Sequence, residues 1–589
     1  MITYRIDALD IHAHVYRIKL TIAKPHSVQR VSLPAWIPGS YMLREFSRHL
    51  FDLQAKQGTR KLPVTPVDKA AWDISCPGRG ALTLSYSVYA FDTSVRAAFL
   101  SAQRGFFNGT SIFLEAQGHS EQAHRVQLKD LPAAWEVATA LSPLDIDDKG
   151  RGTYQAADYD ELIDHPVELG TFWRGRFTAH GVAHDLIVTG ALPDFDAPRL
   201  LQDTQTLCEA QIAFWHINKK PPFDRYVFLL NAMDDGFGGL EHRNSTALIA
   251  GRRDLPQSGR EDLSEGYLTL LGLISHEYFH TWNVKRMKPA EFGRFQLDRE
   301  NYTQLLWFFE GFTAYYDDLF LVRSGLIDEA RYFKLLSKTF SGVLNTPGRH
   351  VQSVAQSSFD AWVKYYRPDE NSQNIGISYY TKGSLVALAL DLSLRARGVG
   401  SLDDVMRALW LRSGGGAVSE NDIFNAVDDI AERPLSKDLY QWVHGTHDPP
   451  WAELFDPFGI VWQASTPTMA QRWGLKVSES ALTGIKISHV LSGGLGEKMG
   501  LSAGDELLAI NQWRLRKLDE AARFMPPDKP GILLVCRDQR LLPLNLPPGA
   551  ASVSSPGVGD WAPQGHLVHK ARAPAMRTAS GLRKEWLGL

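Results

Sequence analysis

Cysteine is scarce in this chain: Cys76, Cys208 and Cys536 are the only three in 589 residues, far apart and odd in number. That pattern excludes a disulfide framework and a cysteine-rich metal site. Net charge is nearly absent as well, with 63 basic against 66 acidic residues and a balance of −3. So weak a field makes no electrostatic case for nucleic acid or an anionic membrane as a partner. Long apolar runs are also missing: nowhere do roughly 18 apolar residues follow one another. The opening residues, MITYRID, turn polar too early for the core of a signal peptide. A soluble, cytoplasmic protein is the expectation, and internal repeats are not evident. What is present is an ordinary globular composition, 44% hydrophobic. The chain is too long for one core, and its length points to about three or four domains.

Periodicity along the chain predicts a multidomain α+β protein. Residues 1–165 alternate as strands do: Tyr16, Ile18, Leu20 and Ile22 are one face of such a run, and Leu82, Leu84, Tyr86 and Val88 another. A β-sandwich-like domain is expected there, walling one side of a cleft, with WIPGSY (36–41) read first as a turn and second as a substrate contact. Residues 166–450 begin with strand-like segments such as Asp185 to Thr189 and then become helical. Ser419 opens one helix, and Gly398 and Gly400 close another that ends in Arg395 and Arg397. Residues 460–545 run strand, short helix, Gly-Asp turn, strand, the succession of a PDZ-like domain, with Trp473, Gly474 and Leu475 as its carboxylate-binding loop. Residues 547–589 are rich in Pro, Gly and Ser and read as a flexible tail. Its last residues, EWLGL, are either a frayed end or a ligand for the chain's own PDZ-like domain.

The chemistry concentrates in HEYFH, where His276 and His280 are four residues apart in a stretch whose apolar residues, Leu268, Leu270, Leu271 and Ile274, recur at helical spacing. Both imidazoles then leave one helix face and reach one metal ion. An ion that takes two imidazoles and a carboxylate while leaving room for water is most economically zinc, and Glu277 is placed to take that water's proton. The third ligand is expected at Glu310, a carboxylate inside the apolar run WFFEGF of a helix over 304–322. Asp317 and Asp318, farther along, either support the histidines or are solvated. Two further segments fit a peptidase. Gly238 and Gly239, after the strand-like Tyr226 to Leu230, let the backbone approach an extended substrate, and Glu241 is suited to a charged amine. Tyr380 opens a helix over 384–395 from which its phenol can donate to an oxyanion. Taken alone, Gly-Gly is an ordinary turn and Tyr380 is one of 19 tyrosines.

On HEYFHTWN (276–283), 307–316, 238–242, 380–383, WIPGSY and the PDZ-like module, the chain resembles glycyl aminopeptidase-type gluzincin zinc peptidases, relatives of the larger alanyl aminopeptidases. The resemblance covers nearly everything to about residue 545 and implies a thermolysin-like, mainly helical catalytic domain over 166–450. It implies one zinc per chain on His276, His280 and Glu310, with Glu277 as general base, Glu241 as anchor of the substrate's N-terminal amine, and Tyr380 as transition-state donor. It also implies peptide substrates with glycine or alanine at the N-terminus, and a C-terminal peptide as ligand of the PDZ domain. Two departures stand out: His242 follows Glu241 where the larger enzymes have asparagine, and the interval from His280 to Glu310 is longer than theirs. Two alternatives remain: a zinc endopeptidase that captures exposed C-termini through its PDZ domain, and a non-catalytic PDZ binding protein. Competent residues at every acid, base and ligand position speak against the second.

Overall fold

A computed structural model of the chain describes residues 1–216, 218, 220–525, 529–550, 563–570 and 576–589. They form two compact units: Met1–Tyr302 with Leu409–Ser419, and Thr303–Ala408 with Glu420–Leu589. This boundary falls inside the stretch 166–450 expected to form one catalytic domain.

The first unit opens with the expected β domain. Its largest sheet has eight strands, with Ile2–Asp10 and Val15–Ile22 at the centre, and two four-stranded sheets accompany it. Alternation predicts the faces correctly, for Tyr16, Ile18, Leu20, Leu82, Leu84 and Tyr86 are all buried. The β domain does not keep a separate core. Ile187, Val227, Leu229, Leu240 and Ala247, from the following sheet, belong to the same apolar cluster as the β-domain residues. That second sheet has five strands, with Val182–Thr189, Arg225–Met233 and Ser245–Gly251 parallel, and Gly238–Glu241 antiparallel at its edge. Near-continuous apolar strands in a parallel sheet need cover on both faces, which is why this sheet shares a core with its neighbour.

The second unit is helical and then β. The helix expected over 304–322 is two, Leu306–Phe309 and Gly311–Arg323, broken at Glu310. Thr381–Arg397 ends at Gly398, whose φ of 70° is the left-handed cap that the sequence signals. The PDZ-like domain has its own core from Met469 to Ala550, including Trp473, Ile485, Leu507 and Val535.

The flexible tail expected over 547–589 is corrected by the structure. Gly565–His569 pairs antiparallel with Ile460–Ala464, so the PDZ-like domain leaves and returns through one two-stranded ribbon. The Leu567 amide donates to Ser337 on the helix Glu329–Leu344. The last helix, Met576–Leu587, buries Trp586 and Leu587 completely. Two large apolar side chains removed from water are enough to dock a short amphipathic helix whose composition otherwise suggests disorder. EWLGL is therefore neither a frayed end nor, with Trp586 and Leu587 inside the helical core, a ligand for the PDZ groove. Residues 551–562 and 571–575 of the expected tail lie outside the described residues. Among the described residues no helix is long and apolar enough to cross a membrane.

Candidate active site

In the first unit, HEYFH ends the helix Glu265–Phe279, which Ser264 caps by accepting the Tyr267 amide proton at 3.1 Å. Leu268, Leu270, Leu271 and Ile274 are buried, as their spacing predicts. Two contacts fix its last turns. Gln211 donates to the Ser275 carbonyl at 2.9 Å, and the Tyr278 hydroxyl donates to His184 Nε2 at 2.9 Å. His184 must accept there, because its Nδ1 faces the Val182 carbonyl at 2.9 Å and carries the proton. Burial lowers His184 to about 4, keeping it the neutral acceptor that this bond requires.

The same logic sets the tautomer of His280. Its Nδ1 lies 2.7 Å from the Asn283 carbonyl, so it donates there and leaves the lone pair on Nε2. That nitrogen is 3.1 Å from Nε2 of half-buried His276, with the two rings near perpendicular at 86°. Two imidazole nitrogens bound at about 2.0–2.1 Å to one tetrahedral zinc ion lie about 3.3 Å apart, so the pair fits such an ion. Glu277, between them in sequence, is buried. The edge strand Gly238–Glu241 passes directly over its carboxylate: a Cβ on Gly239 would sit 2.1 Å from Glu277 Oε1. Gly239 therefore makes room for Glu277, a tighter demand than the approach of a substrate. The Gly239 carbonyl accepts from Arg96 of the β domain at 3.2 Å.

Glu241, at the end of this edge strand, is only 4% exposed, and its Oε1 has no hydrogen-bond partner among the described residues. An unpartnered carboxylate oxygen this deep is unfavourable unless something cationic meets it. WIPGSY, read from sequence as a turn, packs on this carboxylate. Gly39 has φ of 97°, and a Cβ there would lie 2.5 Å from Glu241 Oε1. The loop is held by Trp36, whose indole donates to the Gln296 carbonyl at 2.9 Å, and by Tyr41 stacked on Phe292.

His242 turns to the β domain. Its Nδ1 is 3.3 Å from Asp164, which also pairs with Lys285 at 2.7 Å and accepts the Arg243 amide proton at 3.0 Å. Burial alone would raise Asp164, but Lys285 and His242 outweigh it and hold the carboxyl well below its usual range. The histidine that departs from the larger aminopeptidases is thus a tie between sheet and β domain. Sequence reading missed Gly39, Arg96, Asp164 and Lys285. Only Gly39 carried a signal, as a glycine inside an aromatic-rich turn.

In the second unit, Glu310 is 1% exposed at the break between its two helices. The break is set by glycines: a Cβ on Gly311 would meet the Gly383 Cα at 2.6 Å, so the two helices cross backbone to backbone. That crossing brings Tyr380, at the start of Thr381–Arg397, beside Glu310. The Tyr380 hydroxyl is pushed well above its usual pKa, first by burial and then by the Glu310 charge. Its ring stacks on Tyr379 and Tyr365 with centroids 4.8 and 5.4 Å away. Lys382, next in the motif, is buried and donates to the Arg349 carbonyl at 3.2 Å. Asp317 and Asp318 are half-buried.

The expected carboxylate loop of the PDZ-like domain is altered at its centre. Gly474 is the left-handed cap of the helix Met469–Trp473, its amide donating to the Gln471 carbonyl at 3.1 Å and its carbonyl accepting from Leu491 at 2.7 Å. Both backbone groups are occupied, so Gly474 does not offer its amide to a carboxylate. Leu475 is buried and begins the strand Leu475–Ser480, which lies at the edge of its sheet.

Residues 3–171 match the Peptidase M61 N-terminal domain, 269–386 the M61 glycyl aminopeptidase and 463–528 a PDZ domain. The crystal structure of an aminopeptidase N family protein from Idiomarina loihiensis is similar at 34% identity and a TM-score of 0.92, covering 100% of both chains. An M1 zinc metallopeptidase from Deinococcus radiodurans is more distant, at 16% identity and a TM-score of 0.47 over 76% of this chain and 94% of its own. No curated protein matches. With one relative alike over its full length and the HEYFH segment inside the matched peptidase region, the chain belongs to the M61 glycyl aminopeptidase family and is a metallopeptidase with a PDZ domain.

Proposed function

We propose that this metallopeptidase is a zinc aminopeptidase that releases small N-terminal residues, glycine or alanine, from peptides. The observation that carries the reading is the pair of Nε2 atoms 3.1 Å apart, with the lone pair of His280 freed by the bond from its Nδ1 to the Asn283 carbonyl and Glu277 between the two histidines. On this reading His276, His280 and Glu310 hold one zinc ion per chain. When bound, zinc supplies a Lewis acid that acidifies a water and polarises the scissile carbonyl. Glu277 takes the proton of that water and hands it to the leaving amine. The Tyr380 hydroxyl, kept protonated by burial beside Glu310, donates to the oxygen that becomes negative. Glu241 receives the substrate's ammonium on its unpartnered Oε1, which confines cleavage to the first peptide bond. The edge strand Gly238–Glu241 offers main-chain hydrogen bonds to an extended peptide, and Leu475–Ser480 offers an edge of the same kind to a peptide ligand of the PDZ domain.

The test is metal analysis together with turnover of glycyl- and alanyl-arylamides. Glu277→Gln should keep its zinc and lose about two to four orders of magnitude in kcat, whereas Glu310→Ala should lose the metal. Zinc loss in Glu277→Gln, or full zinc in Glu310→Ala, sinks the assignment. Equal cleavage of free and N-acetylated peptides would make the enzyme an endopeptidase.

A further inference from the structure

Within the second unit, the final helix is bound to Gly311–Arg323 and Thr381–Arg397 by a closed ring of buried polar groups. The Trp586 indole N–H donates to the Tyr315 hydroxyl at 2.8 Å, and that hydroxyl donates to Asp391 at 2.6 Å. Asp391 accepts from Arg395 at 2.9 Å, and Arg395 donates to Asp403 at 3.1 Å. Asp403 accepts from Arg323 at 3.1 Å, and Arg323 donates to the Trp586 carbonyl at 2.9 Å. The ring thus begins and ends on one residue, and its two carboxylates balance its two guanidiniums. Trp586, Tyr315, Asp391 and Arg395 are all 5% exposed or less. At such burial each missing partner leaves a desolvated polar group, so the ring is favourable only when complete.

Its placement matters. Tyr315 is about a turn and a half beyond Glu310, and Arg323 is the last residue of the same helix, Gly311–Arg323. Trp586 therefore holds that helix at two points, by its ring at Tyr315 in the first half and by its carbonyl at Arg323, the last residue. Asp391 and Arg395 are on Thr381–Arg397, the helix that Tyr380 precedes. Trp586, reached only after the whole PDZ domain, locks the helix behind Glu310 to the helix behind Tyr380.

We propose that Trp586 is a positioning residue of the metal site: its indole N–H fixes Tyr315, and through the helix fixes the carboxylate of Glu310. The inference rests on Glu310 being a zinc ligand. Without the N–H, the Tyr315 hydroxyl loses its donor, the helix gains freedom about its axis, and Glu310 samples orientations that do not reach the ion.

The experiment uses the full-length zinc enzyme and its Trp586→Phe, Tyr315→Phe, doubly substituted and Glu310→Ala forms. Zinc affinity is measured by competition with a chelator, alongside kcat, KM and thermal unfolding. Trp586→Phe keeps an aromatic ring in the core and should weaken zinc binding about tenfold, the equivalent of one buried hydrogen bond. kcat should fall at saturating substrate while KM is unchanged. Tyr315→Phe should do the same, and adding Trp586→Phe to it should weaken zinc no further. If Trp586→Phe does not fold, Tyr315→Phe alone decides, since it retains the indole. Wild-type zinc affinity in the folded variants, with or without a lower unfolding temperature, overturns the proposal. If Glu310→Ala binds zinc normally, the ligand assignment itself has failed and the positioning role falls with it. If Glu310→Ala loses zinc while Trp586→Phe and Tyr315→Phe do not, only the positioning role has failed.

Discussion

At the scale of single residues, glycines decide what the carboxylates can do. Gly239 and Gly39 lie within a Cβ's reach of Glu277 and Glu241, the two acids given catalytic and amine-binding roles. HEYFH was legible because a metal needs particular ligands at a particular spacing. Gly39 was not, because a glycine that clears space for an acid far along the chain looks like any turn glycine. The Gly39→Ala substitution tests the contact. At φ of 97° an alanine is strained whatever the space, and its methyl group also meets the Glu241 carboxylate. A displacement worth about 2 kcal/mol of ammonium binding corresponds to roughly a 30-fold rise in KM. That rise should appear on glycyl-arylamide with kcat largely retained. An unchanged KM would mean that WIPGSY has no part in presenting Glu241.

At the scale of elements, the sequence announced helices and strands well and their interruptions poorly. Strand alternation in the β domain and the helical spacing before His276 both translate directly into buried faces. The break at Glu310 was hidden because WFFEGF has no proline and only one glycine, and the break depends on Gly383, a residue of another helix. The same crossing explains why Tyr380 belongs beside Glu310. Tyr380→Phe leaves the stack with Tyr379 and Tyr365 intact and removes only the hydroxyl. The expected result is a fall in kcat of about a hundredfold with little change in KM, as for loss of one oxyanion donor. A change confined to KM would instead assign the hydroxyl to ground-state binding. His242 shows the same limit from the other side: the sequence marks it only as a departure from asparagine, and the fold gives its Nδ1 to Asp164.

At the scale of the whole molecule, segments that the sequence presents as separate are joined by a few side chains. Asn374, shortly before Tyr380, donates to the Val490 carbonyl of the PDZ-like domain at 2.9 Å and accepts from the Ser492 amide at the same distance. Trp586 and Leu587 anchor a terminal segment whose composition resembles disorder, because composition averages over a helix that needs only two deeply buried residues. The β domain and the adjoining sheet share one core, and burial within this first unit holds three histidines in neutral form. Burial lowers His124, His165 and His184 each to about 4, against about 6.5 when unfolded. Between these values the unfolded chain binds protons that the folded chain refuses. The stability that these groups confer is therefore intact above pH 6.5 and is lost as the pH falls towards 4, by up to about 3 kcal/mol each. His124→Gln tests this on one of them: its amide can still donate to the Gln122 carbonyl that His124 contacts at 2.6 Å, but it cannot titrate. Unfolding free energies of wild type and variant, measured at intervals from pH 7 to pH 4.5, should show a slope shallower in the variant by about 1.4 kcal/mol per pH unit, the signature of one proton. Identical slopes would mean that His124 titrates alike in both states, and that burial does not hold it neutral.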